Sequence, residues 1–131
     1  MPEILLNSTG LSGEFFVAGE LLRRGFNVAI TMGNAKAIDI FAEKDGNTFS
    51  VQVKSIYKKK NVGWPIRKSQ IKNKHIYIFV NLNGDKQSHP DYYICTAREA
   101  RYWTIDYTTS GILNMNLVNN RRFRDRWDKV G

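Results

Sequence analysis

The sequence predicts an α/β fold on three observations. Residues 11–24 carry apolar positions at helical spacing. Residues 37–43 and 48–56 are rich in apolar, β-branched and aromatic side chains and read as strands. Between those strands stands Asp45-Gly46-Asn47, a strong signal for an antiparallel hairpin.

The elements follow in chain order. Ser8 or Ser12 is the expected N-cap of the first helix and Gly25 its stop. Beyond the hairpin, residues 75–82 form an apolar run expected to be a buried central strand, and residues 91–95 form another strand after the turn-rich stretch 83–90. Thr96-Ala97-Arg98-Glu99 matches a capping box opening a short helix through Trp103. The Asn-rich residues 111–120 read as an irregular connection. Residues 121–130 place Phe123, Trp127 and Val130 at helical spacing, and this apolar stripe is expected to dock on the chain's own core. The alternatives are a homodimer interface, or a basic helix flanking DNA. No repeat, linker or composition shift marks a second domain, so residues 1–131 read as one.

The hairpin concentrates the chemistry. Side chains alternate along a strand, which sets Gln52 and Lys54 on one face and Phe49, Val51 and Val53 on the other. With Asp39 on the partner strand, an acid, an amide and a lysine can converge. Hard cations prefer carboxylate, amide and backbone oxygens, and a nearby ammonium offsets charge developing on a phosphoryl group under attack. The plain alternative is a solvated hairpin face with ordinary polar residues. The first helix bears on the choice, because its two acids differ. Glu20 has Arg23 and Arg24 at the i+3 and i+4 positions and reads as a surface ion pair. Glu14 shares its stripe with Val17, Ala18 and Leu21, where an inward carboxylate needs a cation.

These residues carry a resemblance. Gly13-Glu14, the helix end Leu21-Leu22-Arg23-Arg24-Gly25-Phe26, the strand Val28-Ala29-Ile30, Asp39 and Gln52-Val53-Lys54 resemble, in order and spacing, the archaeal Holliday-junction resolvases of the PD-(D/E)XK nuclease superfamily. Those enzymes have Glu where this chain has Gln52. Val51-Gln52-Val53-Lys54 is similar instead to Mrr-type restriction endonucleases, where Gln is usual before X-Lys, and Gly33-Asn34-Ala35-Lys36-Ala37-Ile38-Asp39 resembles small uncharacterised members of the superfamily. The likeness covers residues 10–56 and thins afterwards. It implies a restriction-endonuclease-like α/β core, a mixed central sheet flanked by helices. It also implies a DNA endonuclease site with Glu14, Asp39, Gln52 and Lys54 as catalytic residues, and Glu14, Asp39, Gln52 and Val53 as ligands of Mg²⁺ or Mn²⁺. Gln52 removes one negative charge from such a site, so weak Mg²⁺ binding without DNA is the expectation.

Charge agrees with a nucleic-acid partner. Twenty Lys and Arg against twelve Asp and Glu give a net charge of +8. The isoelectric point near 9.7 favours phosphate backbones or anionic surfaces. Seven of the basic residues, from Lys58 to Lys74, fall within residues 57–74 without one acid. Lys58, Lys59, Lys60, Arg67, Lys68 and Lys72 are the candidate phosphate contacts on duplex or branched DNA, and RNA stays open as the partner. A solvated loop is the alternative. Trp64, in their midst, either stacks on a base or caps the loop against the core. The single cysteine, Cys95, excludes an internal disulfide, suits a reducing cytoplasm and reads as a core residue. His75 and His89 lie far apart without a Cys or His cluster, so both read as structural and a zinc site is not expected. No apolar run is long enough for a membrane span. Two function classes remain, a Mg²⁺-dependent endonuclease and a non-catalytic nucleic-acid-binding module on the same fold.

Overall fold

The structure, a computed structural model, describes residues 6–32, 38–57, 63–84 and 87–130. Helix α1 (Leu6–Arg23) leads into three strands, β1 (Asn27–Met32), β2 (Ile38–Lys44) and β3 (Asn47–Ile56), each antiparallel to the next. Lys44 pairs with Asn47, so the β2–β3 hairpin turns on Asp45 and Gly46 alone. Their φ angles of 54° and 83° are both positive, as a type I′ turn requires. Helix α1 starts earlier than its sequence suggests. Ser8 and Ser12 lie inside it rather than capping it, because Thr9 and Gly13 are buried and packing outweighs the poor helix propensity of Ser, Thr and Gly. Gly25, with φ of 94°, does end the helix. The Phe26 N–H donates to the Leu21 carbonyl and the Gly25 N–H to the Leu22 carbonyl, the paired bonds of a Schellman turn, which also brings Phe26 into the core beside Leu21.

Strands β4 (Gly63–Pro65), β5 (Ile76–Asn81) and β6 (Asp91–Thr96) follow, then α2 (Ala97–Trp103), β7 (Ile105–Asp106), β8 (Gly111–Asn114) and α3 (Met115–Val118). The central sheet has the order β1-β2-β3-β5-β6, with β3 and β5 parallel and the other pairs antiparallel. A small second sheet has the order β4-β8-β7. Residues 111–120, expected to be irregular, thus supply the middle strand of that sheet and a short helix. Gly111 and Gly63 permit it: a Cβ at either would collide with the facing backbone, at Ile66 and at Leu113 respectively.

The central sheet separates two cores. On one face α1 lays Val17 and Leu21 over Ile40, Val51, Ile78 and Ile94. On the other, Trp64 and Ile66 from the crossover and Leu113 from β8 cover Tyr77, Phe79 and Tyr93. The C-terminal stripe docks intramolecularly, but not as a helix. Residues 121–125 form turns, with Asp125 at a φ of 53°, that meet the β6 edge through one bridge of Arg124 to Tyr93, where the Ile94 N–H donates to the Phe123 carbonyl and the Asp125 N–H to the Tyr92 carbonyl, and Trp127–Val130 coil into a 3-10 turn. Phe123 enters the second core while Trp127 and Val130 enter the first, so the segment wraps the strand edge and occupies its open hydrogen-bonding groups.

The predicted capping box forms: the Glu99 N–H donates to Thr96 Oγ1 at 3.1 Å and the Thr96 N–H to Glu99 Oε1 at 3.0 Å. Lys129 Nζ donates to the same carboxylate at 3.0 Å and to the Ile94 carbonyl at 3.0 Å, tying the C-terminal segment to β6 and α2. Burial is the largest influence on the Glu99 carboxyl and works against its charge, but the Thr96 N–H and the Lys129 ammonium outweigh it and hold the pKa below the ordinary 4.5. A lowered carboxylate pKa contributes stability above the unfolded value and loses it as pH falls through the folded one. Glu99→Gln keeps the cap but loses the charge. It should cost roughly 1 kcal/mol at pH 7. That deficit should close as pH drops below the carboxylate range, as followed by urea denaturation. A deficit persisting at the lowest pH would mean that the ion pair is not its source.

Candidate functional site

Of the sequence-predicted site residues, Gln52, Val53 and Lys54 lie on strand β3, Asp39 on β2 and Glu14 on α1, which packs on the face opposite Gln52 and Lys54. The register of β3 with β5 pairs Gln52 with Tyr77 and Lys54 with Phe79, both on the face of the second core. Phe49, Val51 and Val53 pack on the α1 face, as strand alternation requires. Gln52 and Lys54 are therefore neighbours on one face, and both are half-buried. Val53 turns its side chain into the α1 core, so it has only its backbone to offer a ligand. Asp39 enters by its backbone position alone: it pairs with Thr31 on β1 and stands one residue before Ile40, whose β3 partner is Val51. The next residue of β3 is Gln52, so the Asp39 and Gln52 positions sit one step beyond the same strand pair.

Glu14 approaches from the helix. Gly13 lies directly against β3, where an added Cβ would overlap the Ser55 hydroxyl and come within 2.8 Å of the Ser55 Cβ. Glu14 thus begins at the level of Val53 and Ser55, half-buried, next to the closest contact between helix and strand. Val17, Ala18 and Leu21 of its stripe are buried, as predicted. Glu20 pairs with Arg23 at 3.6 Å and Arg24 at 3.8 Å, which accounts for it without a role at a site.

Strand pairing adds a residue that the sequence reading assigned to structure alone. Gln52 Nε2 lies 3.5 Å from His75 Nδ1. Nothing local in the sequence joins residues 23 positions apart; the parallel register, which pairs Ile76 with Val51, does.

The basic segment divides. Lys58, Lys59 and Lys60 lie outside the described residues. Lys68 and Lys72 are exposed and Arg67 is half-buried. Trp64 is corrected: its ring is fully buried between Phe79 and Tyr93, with centroids at 5.4 Å from each, and its indole N–H donates to the Val80 carbonyl at 2.9 Å. A ring with no exposed surface cannot stack on a base, so Trp64 caps the crossover against the core. Cys95 is likewise a core residue, and burial pushes its thiol up to about 12. Among the described residues no helix is long and apolar enough to cross a membrane.

No family model matches the chain, nor does any curated protein sequence. A solved structure does: that of a bacterial homing endonuclease, I-Ssp6803I, with a TM-score of 0.64 over 95% of this chain and 92% of that one, at 13% identity. The two chains share a fold, a nuclease fold, along nearly their whole lengths.

The contact of Gly13 with Ser55 sets the height of Glu14 over the strand and makes a direct test of the arrangement. Gly13→Ala should destabilise by about 1–3 kcal/mol, since a Cβ must push α1 off β3. Adding Ser55→Gly should recover part of that loss, giving a favourable coupling energy in a double-mutant cycle. Additive effects would mean that the two residues do not touch.

Proposed function

We propose that the chain is a metal-dependent DNA endonuclease of the PD-(D/E)XK type in its Gln-X-Lys form. The observation that carries this reading is the conjunction of a nuclease fold with Gln52 and Lys54 side by side on the central strand β3. Glu14 on α1 and Asp39 on β2 are the two carboxylates that the resemblance adds to them. The donors offered are all oxygen: two carboxylates, the Gln52 amide and the Val53 backbone carbonyl. That set fits a hard cation such as Mg²⁺ or Mn²⁺ and not zinc, and among the described residues no three His, Cys, Asp or Glu side chains gather to suggest otherwise.

Glu14, Asp39, Gln52 and Val53 would hold the ion, which when bound polarises a phosphoryl oxygen and makes a bound water more acidic. The protein's own part is positional and electrostatic. Lys54 places its ammonium where negative charge accumulates as a water oxygen attacks phosphorus and the bond to the leaving sugar oxygen breaks. Gln52 would contribute an amide oxygen, a neutral ligand, so the site would depend on the DNA phosphate for some of the charge that draws the cation. Lys68, Lys72 and the lysines at 58–60 supply contacts to phosphates that position the strand without reading its sequence. A non-catalytic DNA-binding module on the same fold is the alternative, and the uncharged Gln52 is the feature that favours it.

Asp39→Ala and Lys54→Ala should each abolish cleavage of plasmid, single strands or a four-way junction in Mg²⁺ or Mn²⁺. Fold and DNA affinity should be retained, because the lost groups act on the transition state rather than on the backbone contacts. Gln52→Glu should tighten metal binding and keep activity. Wild type and Gln52→Glu both inert on every DNA form, with metal binding indifferent to Asp39→Ala, would leave the binding module as the answer. Changing Lys58, Lys59 and Lys60 together to Ala should lower the slope of log affinity against log salt by about one unit per lost contact. An unchanged slope would place the phosphate contacts elsewhere.

A further inference from the structure

The aromatic contact expected of Trp64 is absent, yet the fold exposes other aromatic rings beside the same basic segment. Tyr102 is 73% exposed at the end of α2, Tyr107 58% just beyond β7, and Ile105 39% between them. Tyr102 stands edge-on against Trp103, with ring centroids 4.8 Å apart, which holds its outer face toward solvent. This aromatic rim is bonded to the crossover. An Arg67 Nη2 donates to the Tyr107 carbonyl at 3.2 Å, and the Lys68 N–H to Asp106 Oδ1 at 3.0 Å. From α2, Arg101 Nη2 donates to the Ile71 carbonyl and to Asn73 Oδ1, each at 2.9 Å. Lys68 and Lys72 are exposed and Arg67 and Arg101 half-buried, and none of the four takes part in a salt bridge among the described residues. The segment then runs to the candidate site, since the Lys72 N–H donates to the Tyr77 hydroxyl and His75 lies against Gln52.

We propose that this ridge, Tyr102 and Tyr107 set beside Arg67, Lys68, Lys72 and Arg101, is a binding surface for unpaired DNA leading to the Gln52 and Lys54 face. The proposal rests on the reading of the chain as a DNA endonuclease and narrows its substrate to DNA with a single-stranded or unstacked stretch. The cations alone would serve any duplex, because a duplex offers its phosphates and hides its base faces. Exposed tyrosine rings gain nothing from a phosphate and much from a base face, which only unpaired or splayed nucleotides present. Exposed rings on segments bonded to the basic crossover therefore match a strand whose backbone tracks the basic segment while its bases lie on the tyrosines.

The test is binding by the full chain in EDTA, read by fluorescence anisotropy at fixed salt, so that catalysis plays no part. The probes are an oligothymidine of about 12 nucleotides, an abasic strand of equal length and a duplex of equal length. Wild type should bind oligothymidine about tenfold or more tighter than the abasic strand. Tyr102→Ala with Tyr107→Ala should remove most of that preference and leave abasic binding unchanged, while both tyrosines changed to Phe should retain it. Thermal unfolding of each variant reports whether the fold is intact. Equal binding of oligothymidine and abasic strand by wild type would overturn the proposal, as would a preference that survives the double Ala change. If duplex is then still bound and cleaved in Mg²⁺, the endonuclease reading stands and only this narrowing of its substrate fails. Binding of none of the three probes removes both.

Discussion

The parallel pairing of β3 with β5 is the constraint on which the rest of the structure depends. Antiparallel strands can be joined by a two-residue turn, as β2 and β3 are through Asp45 and Gly46, but parallel strands need a chain that crosses the sheet and returns. Here residues 57–75 make that passage. They lay β4 and the buried Trp64 on the face opposite α1, and the indole N–H bonded to the Val80 carbonyl anchors them to the strand they lead into. The described part of that connection holds Trp64, Ile66 and Ile71 in the second core and carries Arg67, Lys68 and Lys72 along the same stretch. A change of pairing sense at β5 would remove the second core and the charged surface together.

The two edges of the sheet are treated differently. The β6 edge is closed by residues 123–125, and the side chains flanking that closure, Phe123 on one face and Trp127 with Val130 on the other, grip both cores. Lys129 secures the grip by donating to the Ile94 and Arg122 carbonyls and the Glu99 carboxylate, which places all three of its donors and leaves its side chain 10% exposed. A lysine so enclosed is tolerable because every donor is occupied and its charge is matched. The C-terminal segment thus acts as a clamp, not as a free basic helix.

Function follows from what β3 holds in common. One strand supports α1 through Val51 and Val53, meets Gly13 at Ser55, and turns Gln52 and Lys54 to the opposite face. Helix and strand are therefore fixed against each other by packing rather than by loops. Tyr102 and Tyr107 belong to α2 and to the turn after β7, and the Arg67 bond to the Tyr107 carbonyl ties that turn to the crossover.

What the sequence determined by itself is local. The hairpin at Asp45-Gly46, the helix stop at Gly25, the capping box of Thr96 and Glu99, the inward stripe of Val17, Ala18 and Leu21 and the alternation that separates Gln52 and Lys54 from Val51 and Val53 depend on backbone geometry within a few residues, and side-chain type alone announces them. Tertiary structure decided the rest. The early start of α1, the strand at Gly111–Asn114, the turn at residues 123–125 bonded to β6 and the burial of Trp64 each arise where contact with a distant element outweighs local preference. The nearness of His75 to Gln52, and of Tyr107 to Arg67, is of the same kind: these pairs are 23 and 40 residues apart, and only the folded register joins them.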